Sequence, residues 1–217
     1  MSNMAMVCIR FLCLIAFFSL IYIYVFIIKE GKTLKLPGIR VKDIFIFIIL
    51  GFVIQISGSR ILTLVLESTG ESENYNNVIS GMMSMTPLMI LYVCLLGPLM
   101  EEFLFRGVIF SYLKKIFPFF FADILQAVSF GIYHKNIYQG IYAFILGSLL
   151  GLADQLYDSI VPSVIIHISI NFAGLFILRL LEENLGYMEN TILFCICLVI
   201  VAVLTVRFII RAFRERS

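Results

Sequence analysis

Charge is scarce in this chain of 217 residues: 14% are Asp, Glu, Lys or Arg, against 61% hydrophobic residues and a mean hydropathy of +1.04. That balance excludes a soluble globular domain. A net charge of +2 gives no electrostatic footprint for nucleic acid. The five cysteines (Cys8, Cys13, Cys94, Cys195 and Cys197) lie in or beside apolar stretches, with neither zinc-finger spacing nor the framework of a secreted domain, and read as reduced packing residues. There is no internal repeat, no low-complexity linker and no long polar segment. The first apolar run lacks an Ala-x-Ala-like cleavage site near its end at Ile28, so it reads as a retained span.

What is present is a series of long apolar runs, near residues 6–28, 43–66, 83–113, 117–134, 137–153, 160–181 and 191–210. A helical span needs about 20 apolar residues, so the expected fold is all-α, a polytopic transmembrane bundle of about seven spans in the lipid bilayer. The fourth and fifth runs are short enough to form one re-entrant pair. The segment after the first span carries Lys29, Lys32, Lys35, Arg40 and Lys42, whereas the next one carries Glu67, Glu71 and Glu73 and no base. Since Lys and Arg mark cytoplasmic loops, the N-terminus is expected outside and the C-terminus, with Arg207, Arg211, Arg214 and Arg216, inside. Lys114 and Lys115 agree with that orientation. Asp154 and Asp158 read as solvated loop residues, Gly147 and Gly151 as a close-packing surface, and KKIFPFFFAD as an interfacial anchor.

Within the third span stands GPLMEEFLFRG. An ionised side chain at membrane depth is costly unless it is paired or faces a polar cavity. Glu102 and Arg106 are i and i+4 and form a structural ion pair, which leaves Glu101, about 100° around the helix, to find partners elsewhere. The only two histidines are also intramembrane: His134, with Phe130 one turn earlier, and His167, with Asn171 one turn later. At 1.5 Å per residue from the cytoplasmic ends, Glu101, His134, His167 and Asn171 sit roughly 17, 25, 12 and 18 Å up their helices. Three helices can therefore bring them to one polar pocket.

The ordered set E-E-x-x-x-R (Glu101, Glu102, Arg106), F-x-x-x-H (Phe130, His134) and H-x-x-x-N (His167, Asn171) resembles the three motifs of the CPBP family. These are intramembrane proteases that include the CAAX prenyl endopeptidases of Rce type and bacteriocin-immunity-like proteins. The resemblance runs from about Leu95 to Phe172 and divides the chain into N-terminal spans without a motif (1–82), a protease core (83–181), and a last span with its basic tail (182–217). It implies a glutamic-type intramembrane endopeptidase. In it Glu101 and His134 would activate a water, His167 and Asn171 would stabilise the oxyanion, and Glu102, Arg106 and Phe130 would support them.

No Cys stands within the three motifs to act as nucleophile, and the single Ser there is Ser169, between His167 and Asn171. A zinc ion on Glu101, His134 and His167 is the alternative. No H-E-x-x-H is present, however, and a ligand Glu cannot also be the free base, so no cofactor is expected. The implied partner is a membrane-associated peptide or protein, such as the leader of an exported or signalling peptide, in a bacterial membrane where signalling or peptide-export proteins act beside it. Other functions from different classes are a non-catalytic scaffold in a signalling or immunity system, and a proton-coupled transporter. The second lacks the expected inverted repeat.

Overall fold

A computed structural model describes residues 39–70, 86–185 and 187–214 of the chain. The first expected span and most of the acidic segment near residue 71 lie outside the described residues. Among the described residues there is no strand, and the fold is an all-α membrane bundle. Helix α1 is Val41–Thr69, α2 is Pro87–Ile116, α3 is Phe119–Tyr133, α4 is Ile137–Tyr157, α5 is Val161–Leu181 with one further turn to Asn184, and α6 is Tyr187–Arg214. Four of these, α1, α2, α4 and α5, are long and apolar enough to cross a membrane. Large apolar side chains such as Phe45, Ile49, Phe120, Ile132, Ile141 and Val199 are exposed around the bundle, as a lipid-facing surface requires.

Local sequence sets the breaks. Asp43 caps the start of α1, its Oδ2 accepting from the Arg40 amide at 3.0 Å and from Arg40 Nε at 3.2 Å, and Gly70 ends it in the left-handed conformation, at φ 75°. Thr86 caps α2, with Pro87 at the first helical position, where a missing N–H costs nothing. The Asn136 carboxamide accepts from the Gln139 amide at 3.0 Å and starts α4. Lys135, at φ 57°, makes the turn that folds α4 back on α3.

Helix α3 has 15 residues. At 1.5 Å each it measures about 22 Å, short of the ~30 Å hydrocarbon core. It packs as one arm of a hairpin with α4, so the short expected run is real, while α4 by itself is of spanning length. Gly131 and Gly140 face one another where the two helices are closest. A Cβ at Gly131 would sit 2.7 Å from the Gly140 carbonyl oxygen.

The core is one cluster contributed by several helices: Phe47, Leu50 and Ile54 of α1, Phe105 of α2, Phe130 of α3, Leu146 and Leu150 of α4, and Ile166 and Ile170 of α5. Helix α1 thus packs into the same core as the motif helices. At Gly51 it comes so near α5 that a Cβ would lie 2.6 Å from the Ile166 carbonyl oxygen. Asp154, expected in a solvated loop, is instead 5% exposed inside α4 and takes an ion pair from Lys114 at 3.1 Å. The reason is that α4 continues past 153 to Tyr157, which carries the Asp154 side chain back against the end of α2.

Candidate active site

Helix α2 is not uniformly α-helical: it widens into π-helix at Tyr92–Leu96 and again at Phe103–Phe110. Such turns leave backbone groups without their i−4 partners and recur at functional sites. Both are filled by side chains here. Asn171 Nδ2 donates to the Val93 carbonyl at 2.8 Å, and Ser111 Oγ donates to the Arg106 carbonyl at 3.1 Å. Between the two π segments, the turn Gly97–Glu102 carries both glutamates.

The paired carboxylates are in different surroundings. Glu102 is fully buried and holds Arg106 Nη1 at 3.0 Å, as the i, i+4 spacing predicts. It does more than that reading allowed, because the same Oε1 atom lies 2.7 Å from His167 Nδ1. Arg106 Nη2 in turn donates to the Gly147 carbonyl at 2.9 Å, and its guanidinium carbon lies 4.7 Å from the centre of the Phe130 ring. Glu101 has its side chain 19% accessible and faces a cavity, with Oε2 at 3.7 Å from His167 Nε2. One imidazole therefore stands between two carboxylates, bonded to the buried one through Nδ1 and turned toward the accessible one through Nε2.

His134 follows the last residue of α3, and its Nδ1 lies 2.9 Å from the Phe130 carbonyl. A carbonyl only accepts, so Nδ1 carries the hydrogen and Nε2 of the neutral ring is left as an acceptor. Phe130 is the spacer among these groups. Its ring centroid is 4.8 Å from that of His134, 5.8 Å from that of His167 and 4.9 Å from that of Phe105.

Glu101, His134, His167 and Asn171 all line one cavity of about 490 Å³, and Glu102, Arg106 and Phe130 lie behind it. The structure thus brings together every residue that the sequence motifs singled out. Among the described residues no three His, Cys, Asp or Glu side chains cluster as a metal-holding set, so Glu101, His134 and His167 share the cavity without forming one.

A further polar chain escaped the sequence reading. The Gly147 carbonyl that binds Arg106 also accepts from Gln126 Nε2 at 2.9 Å; Gln126 bonds Asp123 Oδ1 at 2.9 Å, and Ser148 donates to the other oxygen of Asp123. Gly147 and Gly151 are the close-packing surface that admits it. A Cβ on Gly151 would fall on Asp123, and one on Gly147 would lie 3.2 Å from the Ala127 Cα. The readable signal was polar residues at i and i+3 in an apolar run, Asp123 and Gln126; their partner Ser148, 25 residues along from Asp123, gave none.

The segment that carries these residues is similar to known proteins. Residues 83–173 match the family described as "Type II CAAX prenyl endopeptidase Rce1-like". A protein of Bacillus subtilis (strain 168) named "Putative membrane peptidase YdiL" is 40% identical over 67 residues, which is 31% of this chain and 27% of that protein. The similarity therefore spans about a quarter of that relative's length. No solved structure matches the chain.

Proposed function

We propose that the chain is an intramembrane endopeptidase of the glutamic type, a reading supported by the match of residues 83–173 to the Rce1-like family and by the similarity to a putative membrane peptidase. The observation that carries the reading is the convergence of Glu101, His134, His167 and Asn171 on one cavity inside the bundle. Glu101 is the general base, since it is the accessible carboxylate and is not neutralised by Arg106. His134 orients the attacking water through its Nε2 acceptor. As Glu101 takes a proton from that water, the oxygen adds to the scissile carbonyl. The oxyanion accepts hydrogen bonds from protonated His167 Nε2 and from the amide hydrogen of Asn171 not given to Val93.

Glu102 holds His167 Nδ1–H and so keeps Nε2 aimed at the cavity. Collapse breaks the C–N bond as the proton on Glu101 passes to the leaving amine. No cofactor enters this scheme. The chain lies in the membrane with its N-terminus outside and C-terminus in the cytoplasm, and acts on membrane-associated peptides or leader sequences. Mass spectrometry of membrane peptides from cells carrying the wild type or Glu101→Ala tests it. Peptide termini that depend on Glu101 are expected; identical peptide sets would overturn the activity.

A further inference from the structure

We infer that Pro98 is a positioning residue for the Asn171 side chain: by withholding an N–H it leaves the Val93 carbonyl open, and that carbonyl anchors the Asn171 amide in the cavity. The inference rests on the protease reading for the role of Asn171 at the oxyanion, whereas the anchor itself is a matter of geometry.

Hydrogen-bond accounting at residue 93 carries it. In an α-helix the Val93 carbonyl would accept from the amide of residue 97, and in a π-helix from that of residue 98. The Gly97 N–H is already given to the Tyr92 carbonyl, which closes the π turn of Tyr92–Leu96. Residue 98 is proline and has no N–H. Both partners within α2 are therefore denied to Val93. A carbonyl inside an apolar bundle must be satisfied from elsewhere. Asn171 Nδ2 of α5, 78 residues along, supplies the hydrogen at 2.8 Å.

Gly97 makes the turn possible. A Cβ there would lie 3.1 Å from the Tyr92 carbonyl oxygen, the atom that the Gly97 N–H must reach. Pro98 follows at once, fully buried, and Glu101 and Glu102 stand about one turn further along the same helix. Gly97-Pro98 is thus the local cause of the open carbonyl, and Asn171 is its distant complement.

The consequence is chemical. A carboxamide nitrogen carries two hydrogens in the plane of the amide. With one given to Val93, that plane is fixed and the direction of the other hydrogen is fixed with it. The second hydrogen is the one available to an oxyanion in the cavity that Asn171 lines. A donor aimed in advance is worth more at the transition state than one that must be ordered as the charge develops. Proline in a helix interior ordinarily only removes a bond. Here the removed bond is replaced by one that aims a side chain.

The anchor is read without cleavage from hydrogen exchange of the Asn171 side-chain amide, in purified protein carrying isotope-labelled asparagine, with the signal assigned by its loss in Asn171→Ala. Pro98→Ala restores an N–H opposite Val93 and should speed that exchange about tenfold or more. The control places the α-hydroxy analogue of alanine at position 98, with the same methyl group and an ester oxygen instead of the N–H; it should exchange as the wild type does. Unchanged exchange in Pro98→Ala, or equally fast exchange in the alanine variant and its ester analogue, overturns the assignment. Should Pro98→Ala not fold, Gly97→Ala reads the same point, since its Cβ drives off the Tyr92 carbonyl and turns the residue-97 amide back to Val93. Faster exchange supports the anchor and unchanged exchange overturns it.

On a peptide whose cleavage depends on Glu101, Pro98→Ala should lower kcat about tenfold with KM unchanged, because the loss falls on the transition state, and the ester analogue should restore it. A matched fall in both variants, or a rise in KM alone, overturns the positioning role. Absence of any Glu101-dependent peptide would count against the protease reading, and the exchange rates would still decide the anchor.

Discussion

Two neighbouring glutamates on α2 do different work because each meets a different partner. Glu102 is at the centre of a buried set, with Arg106 on one side and His167 on the other. Glu102→Gln leaves Arg106 without its counter-charge in the apolar interior, an imbalance worth about 3–5 kcal/mol. The expected result is a large fall in unfolding temperature in detergent. Glu101 has no such structural duty, so Glu101→Gln should keep the wild-type unfolding temperature and lose peptide cleavage. If Glu102→Gln keeps both fold and activity while Glu101→Gln unfolds, the roles are exchanged.

The role of Glu101 as a free base gives a second expectation at this scale. A strong chelator should leave cleavage unchanged, with a bell-shaped pH profile from a carboxylate and an imidazole. Stoichiometric zinc, with activity abolished by chelator and restored by zinc, would instead make Glu101, His134 and His167 ligands. The Glu102–Arg106 pair was legible because four residues separate its members on one helix. The Glu102–His167 bond, 65 residues apart, had no local signal.

Helix α3 is too short to span and owes its position to the hairpin with α4. Gly131 and Gly140 touch backbone to backbone, and a carbonyl cannot move aside as the tip of a side chain can. Gly131→Ala should therefore destabilise by about 1–3 kcal/mol, the usual range for overpacking. Because His134 is three residues further on, cleavage should fall by more than the loss of folded protein explains. Thermal unfolding beside activity per folded molecule checks both, and an unchanged Tm would show that the helices separate freely.

The same hairpin brings Asp123 and Gln126 to the Gly147 carbonyl shared with Arg106. Helix boundaries were readable to within a few residues from apolar run length. The first π-helical turn of α2 was not, since it depends on Asn171 arriving from α5 to satisfy Val93.

Across the whole molecule, the bundle is tied at the end away from the cavity by Lys114 and Asp154, from α2 and α4. Lys114→Met should lower stability by about 1–3 kcal/mol, because it leaves a buried carboxylate unpaired. Adding Asp154→Leu should recover most of that loss, since an apolar pair of similar size fits the same space without a desolvation cost. Unfolding temperatures of the two single variants and the double variant decide this, and a double variant worse than Lys114→Met would show that Asp154 has another duty. Helix α1 shows the same dependence on the assembled molecule. It has no motif and lies outside the Rce1-like segment, yet Phe47, Leu50 and Ile54 enter the common core and Gln55 forms part of the cavity wall.

The amino-acid sequence alone determined the membrane bundle, its approximate spans and the seven motif residues. Hydrophobic run length answers directly to bilayer thickness, and a polar group in an apolar run is conspicuous wherever it falls. It did not determine that Asp154 is buried, that Glu102 grips His167, that Asp123 and Gln126 support Arg106 through a backbone carbonyl, or that α1 closes the cavity. Each of those rests on side chains far apart in the chain and brought within bonding distance only by packing. In a bundle whose helices all have apolar faces, the apolar pattern leaves open which helices become neighbours; shape decides it, through glycines that admit a carbonyl and π turns that expose one.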